Sequence, residues 1–210
     1  RTKKLKEALS ELQILNQNVE ESFYSTLKML SSILETKKET CGGQQVAELA
    51  CRVARYMNLS QEAENNIQYA SLLKNIGKLV FTDDLLSKPY RNLTNEQLRQ
   101  FNQHPIIAES LLMGIEGVSQ VATIIGRHCE LLKGQGFPQK LEGCEIPIES
   151  SVVGIVSDYF DLVEGKLLEK YHSKEEAVEF IKQQRGVRYP IPLTDAFLTI
   201  LFDEDEAATK

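Results

Sequence analysis

Histidines are the residues of this chain best suited to acid–base or metal chemistry, and the sequence contains three of them. His104 precedes Pro105, and His128 lies shortly before a glycine-rich segment, so both fall near the ends of predicted helices. A histidine at a helix end can direct its ring into a cleft, but a lone histidine is more often a surface or satisfied core residue. Their positions alone leave both interpretations open.

The glycine-rich segment Lys133–Pro138 could bind an anion. Backbone N–H groups in such a turn can surround a phosphate, and Lys133 could add a positive charge. Most turns of this composition are only turns, and a solvated surface lysine is the commoner explanation. This segment is therefore a second candidate site of uncertain chemistry.

Composition narrows the class of protein. The chain has 210 residues, 42% of them hydrophobic, which fits one folded domain with an extension. The net charge of −6 argues against nucleic-acid binding, and no apolar run reaches the ~18 residues of a membrane span. Four cysteines without a CxxC pair favour reduced thiols in a cytoplasmic protein.

The candidate residues are carried by predicted helices. Helical spacing of apolar residues, with capping residues at Ser60 and Thr94 and a proline at Pro105, predicts a succession of helices. They cover about 44–57, 60–77, 118–132, 150–163, 173–184 and 193–202, two further helices begin at Thr94 and at Pro105, and a loop covers 81–93. The run 150–163 is rich in β-branched residues and is also consistent with a buried strand.

The first 40 residues or so are predicted to form one long helix, which Gly42 and Gly43 interrupt. Apolar residues alternate at spacings of four and three, typical of a coiled coil. The seam includes Leu5, Leu9, Leu12, Asn16 and Val19. A buried asparagine commonly fixes the register of a parallel dimer. The alternative is that the helix packs on its own domain. We favour a mixed arrangement, in which the first half dimerises and the second half, from Phe23 onward, joins the core. In that second half Met29, Ile33 and Leu34 widen the apolar stripe.

Several short motifs occur in a characteristic order along the chain. They are Leu72–Lys78, Lys88-Pro89, Leu93-Thr94, His104-Pro105, His128–Glu130, Lys133–Pro138, Glu145–Pro147 and Ser157–Asp161. Together they resemble the HD-GYP family of cyclic di-GMP phosphodiesterases, over about residues 35 to 202. The resemblance implies an all-α fold, with an HD-domain-like helical bundle and the additional helices of HD-GYP proteins. It also implies an upstream receiver or sensor domain, as in response regulators, which fits a chain that begins at Arg1.

With this resemblance the chain divides into three parts. Residues 1–40 form the dimerisation helix and the link to an upstream domain, residues 41–203 form the HD-GYP-like domain, and residues 204–210 form a frayed acidic tail. These boundaries are expectations from the motif positions and the charge of the tail.

The sequence departs from the family at several metal-binding positions. The first family histidine falls on Gly42, and the His-Asp pair that names the superfamily falls on Lys74 and Asn75. The second residue of the family's His-His-Glu is Cys129, and the aspartate that opens the glycine segment is Lys133. Because hydrolases of this kind use metal ions to activate water and neutralise the phosphodiester, these changes predict a degenerate site.

Other family residues are retained. The resemblance implies metal ligation by His104, His128 and Asp158, and Cys129 could add a fourth ligand for one zinc-like ion. Lys78, which in the family lies beside the substrate phosphate, is kept. The signature loop is kept with one conservative change, as Gly134, Gly136, Phe137 and Pro138. The ammonium of Lys74 should repel a metal and could replace it by pairing with Asp158.

Three functions follow as alternatives. The first is a non-catalytic regulatory domain that acts through a homodimer and other signalling proteins, with no cofactor or at most one transition-metal ion. The second is a receptor for cyclic di-GMP or another phosphate compound that uses Lys78, Lys133 and the loop N–H groups. The third is a residual phosphodiesterase with a single metal ion.

Overall fold

All the regular secondary structure of the described residues is helical, which confirms the all-α prediction. The computed structural model describes residues 2–35, 42–115, 117–167 and 172–208. Its α-helices are α1 Thr2–Glu35, α2 Gly43–Tyr56, α3 Gln61–Leu73, α4 Asp83–Leu86, α5 Asn95–Phe101, α6 His104–Leu112, α7 Ser119–Arg127, α8 Ile148–Val163, α9 Lys174–Gln183 and α10 Ile191–Ala208. Within these ranges there is no β-strand, and no helix is long and apolar enough to cross a bilayer.

Two helices form the centre of the hydrophobic core. α2 buries Val46, Ala50 and Val53, which follow helical spacing along one face. α8 is buried on almost every side, including Val152 and Ile155. Burial on all faces explains why the sequence of α8 is also consistent with a strand, since neither periodicity is visible there. The helix is formed because packing overrides the modest strand preference of β-branched residues.

The two halves of α1 have different surroundings. Up to Ser22 its described side chains are exposed, whereas Leu27 and Leu34 are buried against the domain. Phe23 contacts Tyr69 of α3 edge to face, with ring centroids 5.3 Å apart. The expected widening of the inward stripe is wrong in part, because Met29 and Ile33 stay more than half exposed.

Residues 81–101 were expected to begin as a loop, but they form a small helical cap instead. α4 begins after Thr82, whose side chain accepts a hydrogen bond from Leu85 N–H, and a 3₁₀ turn follows at Tyr90–Asn92. Thr94 then opens α5 with the predicted capping box. Phe81, Leu85 and Leu93 form a hydrophobic cluster separate from the main core. The cap is therefore a second packing unit beside the bundle.

Other element boundaries differ from the sequence-based expectation. α3 ends at Leu73 rather than near Gly77, and a 3₁₀ turn, Ile76–Val80, follows it. α7 ends at Arg127, because Glu130 N–H bonds to the Arg127 carbonyl and the chain turns away. α10 continues to Ala208, into the segment expected to fray. The domain boundary predicted near residue 40 and Cys41 lie outside the described residues.

Two glycines permit the close packing that assembles the site. A Cβ at Gly77 would overlap the backbone carbonyl of His104, so the 3₁₀ turn can lie directly on the start of α6. A Cβ at Gly154 would overlap the carbonyl of His128, so α8 can lie against the end of α7. These contacts bring the start of α6 against the turn that carries Lys78, and the end of α7 against α8.

Candidate functional site

A cavity of about 680 Å³ lies between the cap and the helical bundle. Its wall is formed by the end of α3, the ends of α6 and α7, one face of α8, and the segment before α10. Six cationic and three anionic side chains line it. The cations are Lys74, Lys78, Lys88, Arg91, Lys166 and Arg188, and the anions are Asp158, Asp161 and Glu164. The cavity therefore has a positive excess in a chain whose net charge is −6, which suits an anionic ligand.

Two lysines stand at the end of α3. Lys74 follows the helix directly and is only 2% exposed, and Lys78 lies in the next turn with its Nζ 5.2 Å from the centre of the Phe101 ring. Burial, together with the charge of Lys74, lowers the pKa of Lys78 to about 8. Within the described residues neither ammonium forms an ion pair with a carboxylate. The two charges are therefore available to an anion entering the cavity.

The two histidines are held in one tautomer by the backbone. His104 Nδ1 lies 2.8 Å from the Phe101 carbonyl oxygen, and His128 Nδ1 lies 2.6 Å from the Ile125 carbonyl oxygen. Each Nδ1 must carry the proton, since a carbonyl can only accept. Each Nε2 is consequently left with a lone pair, which is the arrangement found in histidines that bind metals.

Burial keeps these donors uncharged. It lowers the pKa of His128 to about 3 and the pKa of His104 well below its usual value, with nearby lysine charges adding to the effect. Burial also raises the pKa of the Cys129 thiol, and the carboxylate of Asp158 adds to this. The Cys129 sulfur lies 3.3 Å from His128 Nε2 and 3.8 Å from His104 Nε2. Although His128 and Cys129 are adjacent in sequence, their side chains therefore point toward the same part of the cavity.

Asp158 is held by two residues from the segment before α10. Arg188 donates to its Oδ2 over 2.7 Å, and the hydroxyl of Tyr189 donates to the same oxygen. The expected pairing of Lys74 with Asp158 is therefore wrong. Arg188 pairs with Asp158 because the chain between α9 and α10 passes beside α8. A hydrogen bond from Leu132 N–H to the Arg188 carbonyl helps to hold this segment in place.

The available donors fit one metal ion but not the metal pair that the family resemblance implies. Among the described residues, His104, His128 and Cys129 form the one group of possible ligands, with donor atoms within 4.8 Å of one another. A metal pair needs carboxylates that bind both ions. Asp158 is already neutralised by Arg188, and Asn75 offers only an amide, whose buried Oδ1 has no hydrogen bond.

The signature loop faces its own backbone more than the cavity. The buried carboxylate of Glu130 accepts from Gln139 N–H and Leu141 N–H at 2.6 and 3.0 Å, while Phe137 N–H donates to the Cys129 carbonyl. Within the loop, Gly134 N–H likewise donates to the Leu131 carbonyl, so the N–H groups of Gly134 and Phe137 are not free to surround an anion. Glu130 fixes the loop through charge-assisted hydrogen bonds.

The predicted loop residues divide by position. Phe137 and Gln135 line the cavity, and Phe137 stacks on Tyr90 of the cap with ring centroids 6.1 Å apart. Gly136 is buried against the chain that follows Cys129. The remaining predicted loop residues, Lys133, Gly134 and Pro138, do not line the cavity, and Lys133 is exposed.

Sequence reasoning found some site residues and missed others. His104, His128, Cys129, Asp158 and Lys78 are brought together as expected, whereas Gly42 and Asn75 lie outside the cavity wall. Sequence reasoning missed the wall residues Arg188, Tyr189, Asp161, Tyr90 and Phe101. Asp161 could have been found, since it lies three residues after Asp158 and so on the same helix face.

Comparison with known proteins places the chain among HD domains. The family model described as "HD domain" matches residues 28–190. The cyclic di-GMP phosphodiesterase response regulator RpfG of Xanthomonas campestris is 31% identical over 86% of this chain and 48% of its own length. A cyclic di-GMP phosphodiesterase of Thermotoga maritima is 29% identical over 93% of this chain and 56% of its own length. The chain thus spans about half the length of these relatives.

A solved structure shares the fold. A cyclic GMP-AMP specific phosphodiesterase of Vibrio cholerae superimposes with a TM-score of 0.67 over 85% of this chain and 48% of that chain, at 16% sequence identity. This likeness supports the helical architecture described above.

Proposed function

The chain belongs to the HD domain family, and from that premise we propose that it is a non-catalytic signalling domain of a bacterial cytoplasm whose cavity binds cyclic di-GMP or a similar phosphate compound without hydrolysing it. Two matched relatives carry the name cyclic di-GMP phosphodiesterase. The retained cavity and Lys78 support ligand binding, and the changed metal positions argue against hydrolysis.

One observation carries this proposal. Lys74 places a buried ammonium in the cavity wall next to the neutral donors His104, His128 and Cys129. A metal-dependent phosphodiesterase needs cations and bridging carboxylates there to produce a hydroxide. A lysine supplies charge for binding but activates no water in that way. The site therefore retains the means to hold a phosphate but not the means to cleave it.

Calorimetry and a product assay test the proposal together. We expect cyclic di-GMP to bind with measurable heat and to be recovered intact after incubation with Mn²⁺. The metal content of the purified protein should be one ion per chain or less. Two or more ions per chain, with hydrolysis that His128→Ala abolishes, would establish a phosphodiesterase instead. Absence of binding heat at high ligand concentration would leave regulation through protein contacts as the function.

We also propose that α1 joins two copies of the chain. The seam residues Leu9, Leu12, Asn16 and Val19 are exposed, and Leu30 and Ile33 continue the same four-three spacing. Apart from Phe23, which contacts Tyr69, the residues that pack on the domain, such as Leu27, lie outside the seam. The proposed dimer seam can therefore run along the whole helix, rather than its first half alone. Such a helix would transmit a signal between an upstream domain and the cavity.

A further inference from the structure

We propose that Lys74 and Arg188 take the electrostatic place of the metal ions in this site, so that the cavity binds phosphate through fixed side-chain cations and needs no metal. The inference rests on the proposed function in requiring an anion in the cavity. It adds the means of binding and the residues responsible. The disagreement between the donor set and a metal pair is its starting point.

Arg188 neutralises the carboxylate that the family resemblance assigns to a metal. Its guanidinium lies 2.7 Å from Asp158 Oδ2, and the Tyr189 hydroxyl donates to that same oxygen. The two partners are half-buried, so their ion pair is weakly screened. An aspartate engaged in this way has less capacity to hold a metal ion. Arg188 therefore neutralises the Asp158 carboxylate, as a bound metal ion would.

With Asp158 paired to Arg188, the two lysines have no carboxylate partner among the described residues. Lys74 is almost fully buried, and no described carboxylate lies within ion-pair distance of it or of Lys78. Asp161 and Lys166 are close enough to affect Lys78, but Lys166 is paired with Glu164. A buried ammonium without a counter-charge is costly. A phosphate anion in the cavity would supply that counter-charge to both lysines.

The neutral imidazoles make the lysines necessary. Because His104 and His128 donate through Nδ1 to backbone carbonyls, their Nε2 atoms present lone pairs and no positive charge. They would repel a phosphate oxygen unless a cation lay between. In a metal site the ion fills that role, whereas here the charges of Lys78 and Lys74 both act on the two rings, and Lys74 is the more deeply buried of the two cations. The same charge opposes metal binding at the three donors.

A single variant should change anion and metal binding in opposite directions. Lys74→Met keeps the length of the side chain and removes its charge. It should weaken the binding of pyrophosphate and cyclic di-GMP by about tenfold or more, the size of a charge-assisted contact. It should also strengthen Zn²⁺ binding by His104, His128 and Cys129. Lys182→Met, which removes an exposed lysine of α9, should change neither affinity.

Binding is measured by calorimetry with and without EDTA, and zinc affinity by competition with a chelating dye. The inference requires wild-type anion affinity to be the same in both buffers. Loss of binding in EDTA would overturn it, and so would unchanged anion or zinc affinity in Lys74→Met. A misfolded variant would lose zinc as well as anion, which the inference does not expect, and the wild-type EDTA comparison decides the matter without any variant.

The two ligands separate this inference from the proposed function. If pyrophosphate binds without metal and cyclic di-GMP does not, the proposed cyclic dinucleotide receptor fails and the metal-free anion site stands. If both bind only when metal is present, the receptor stands and the inference fails. If neither binds under any condition, both are wrong.

Discussion

A single residue, Lys74, determines much of what this site can do. Its position at the end of α3 gives it a buried side chain, and the aspartate that could have paired with it is held by Arg188. A buried charge in this situation is stabilised when a ligand of opposite charge binds beside it. Burial lowers the pKa of the neighbouring Lys78. Lys78 therefore connects phosphate binding to pH.

Binding of cyclic di-GMP should weaken as the pH rises from 7 to 9. With a pKa of about 8, Lys78 loses its charge within this range, although Asp161 and Cys129 favour the charged form. The affinity should fall as the charged fraction drops from about nine tenths to about one tenth. Calorimetry at both pH values measures the change. Lys78→Arg is the control, because a guanidinium keeps its charge at pH 9 and should remove this part of the pH dependence.

The same group has the opposite effect on the stability of the free protein. The folded-state pKa of Lys78 lies below its ordinary value of 10.5. Between pH 8 and 10.5 the unfolded state therefore binds more protons, and this group makes the free energy of unfolding rise with pH.

For the binding experiment, tighter binding of cyclic di-GMP at pH 9 than at pH 7 in the wild type would contradict the assignment of Lys78 to the anion site.

Part of the candidate site could be predicted from the sequence, and distance along the chain explains why the rest could not. His104, His128 and Cys129 were found because each belongs to a short motif whose spacing is visible. Arg188 was missed because its partner, Asp158, lies 30 residues earlier in the chain, and nothing local marks the pair. Lys133 was predicted to bind an anion because it lies next to glycines in the sequence. The sequence does not show the direction of its side chain, which is exposed outside the cavity.

At the scale of helices, α1 is the element with the least explained surface. Its seam residues up to Val19 are exposed, and among the described residues Asn16 hydrogen-bonds to Glu20 of the same helix alone. Phe23 is an exception within the seam, because it also packs against Tyr69. The heptad spacing fits a second copy of the same helix, since identical seams can interdigitate in register.

A charge within the seam should therefore dissociate the proposed dimer. Val19→Asp places carboxylates opposite each other across the two-fold axis, which we expect to convert a dimer into a monomer. Ile14→Asp is the matched control, because Ile14 is as exposed as Val19, at 59% and 58%, but points away from the seam. Light scattering after size-exclusion chromatography gives the mass. A monomeric wild type, or equal effects of the two substitutions, would rule out this seam.

At the scale of the whole molecule, the cavity lies at the junction of two packing units. The main core comprises α2, α8 and their neighbours, and the cap has its own cluster around Phe81 and Leu93. A backbone hydrogen bond from Tyr90 N–H to the Lys166 carbonyl connects the cap to the main bundle. Most helices could be predicted from the sequence because helical periodicity is local, and the family resemblance implied the all-α fold class. In the cap, α4 and the 3₁₀ turn were not predicted, since they are too short to show a period.

A ligand that contacts both units should stabilise the whole domain. The cavity wall includes Tyr90 and Phe137 beside the lysines, so a cyclic dinucleotide can touch the cap and the bundle together. At 100 times its dissociation constant a ligand adds about 2.7 kcal/mol to the free energy of unfolding. For a domain of this size that corresponds to a rise in Tm of roughly 5 to 10 °C.

Thermal unfolding followed by circular dichroism, with cyclic di-GMP in EDTA, measures this rise. We expect the ligand to shift Tm by that amount in the wild type and in Lys182→Met, and to shift it far less in Lys74→Met at the same concentration. The Tm of Lys74→Met without ligand should equal or exceed that of the wild type, because the substitution removes a buried unpaired charge. A lower ligand-free Tm in Lys74→Met than in the wild type would mean that Lys74 already has a stabilising partner in the free protein. Its charge would then not be available to bind an anion.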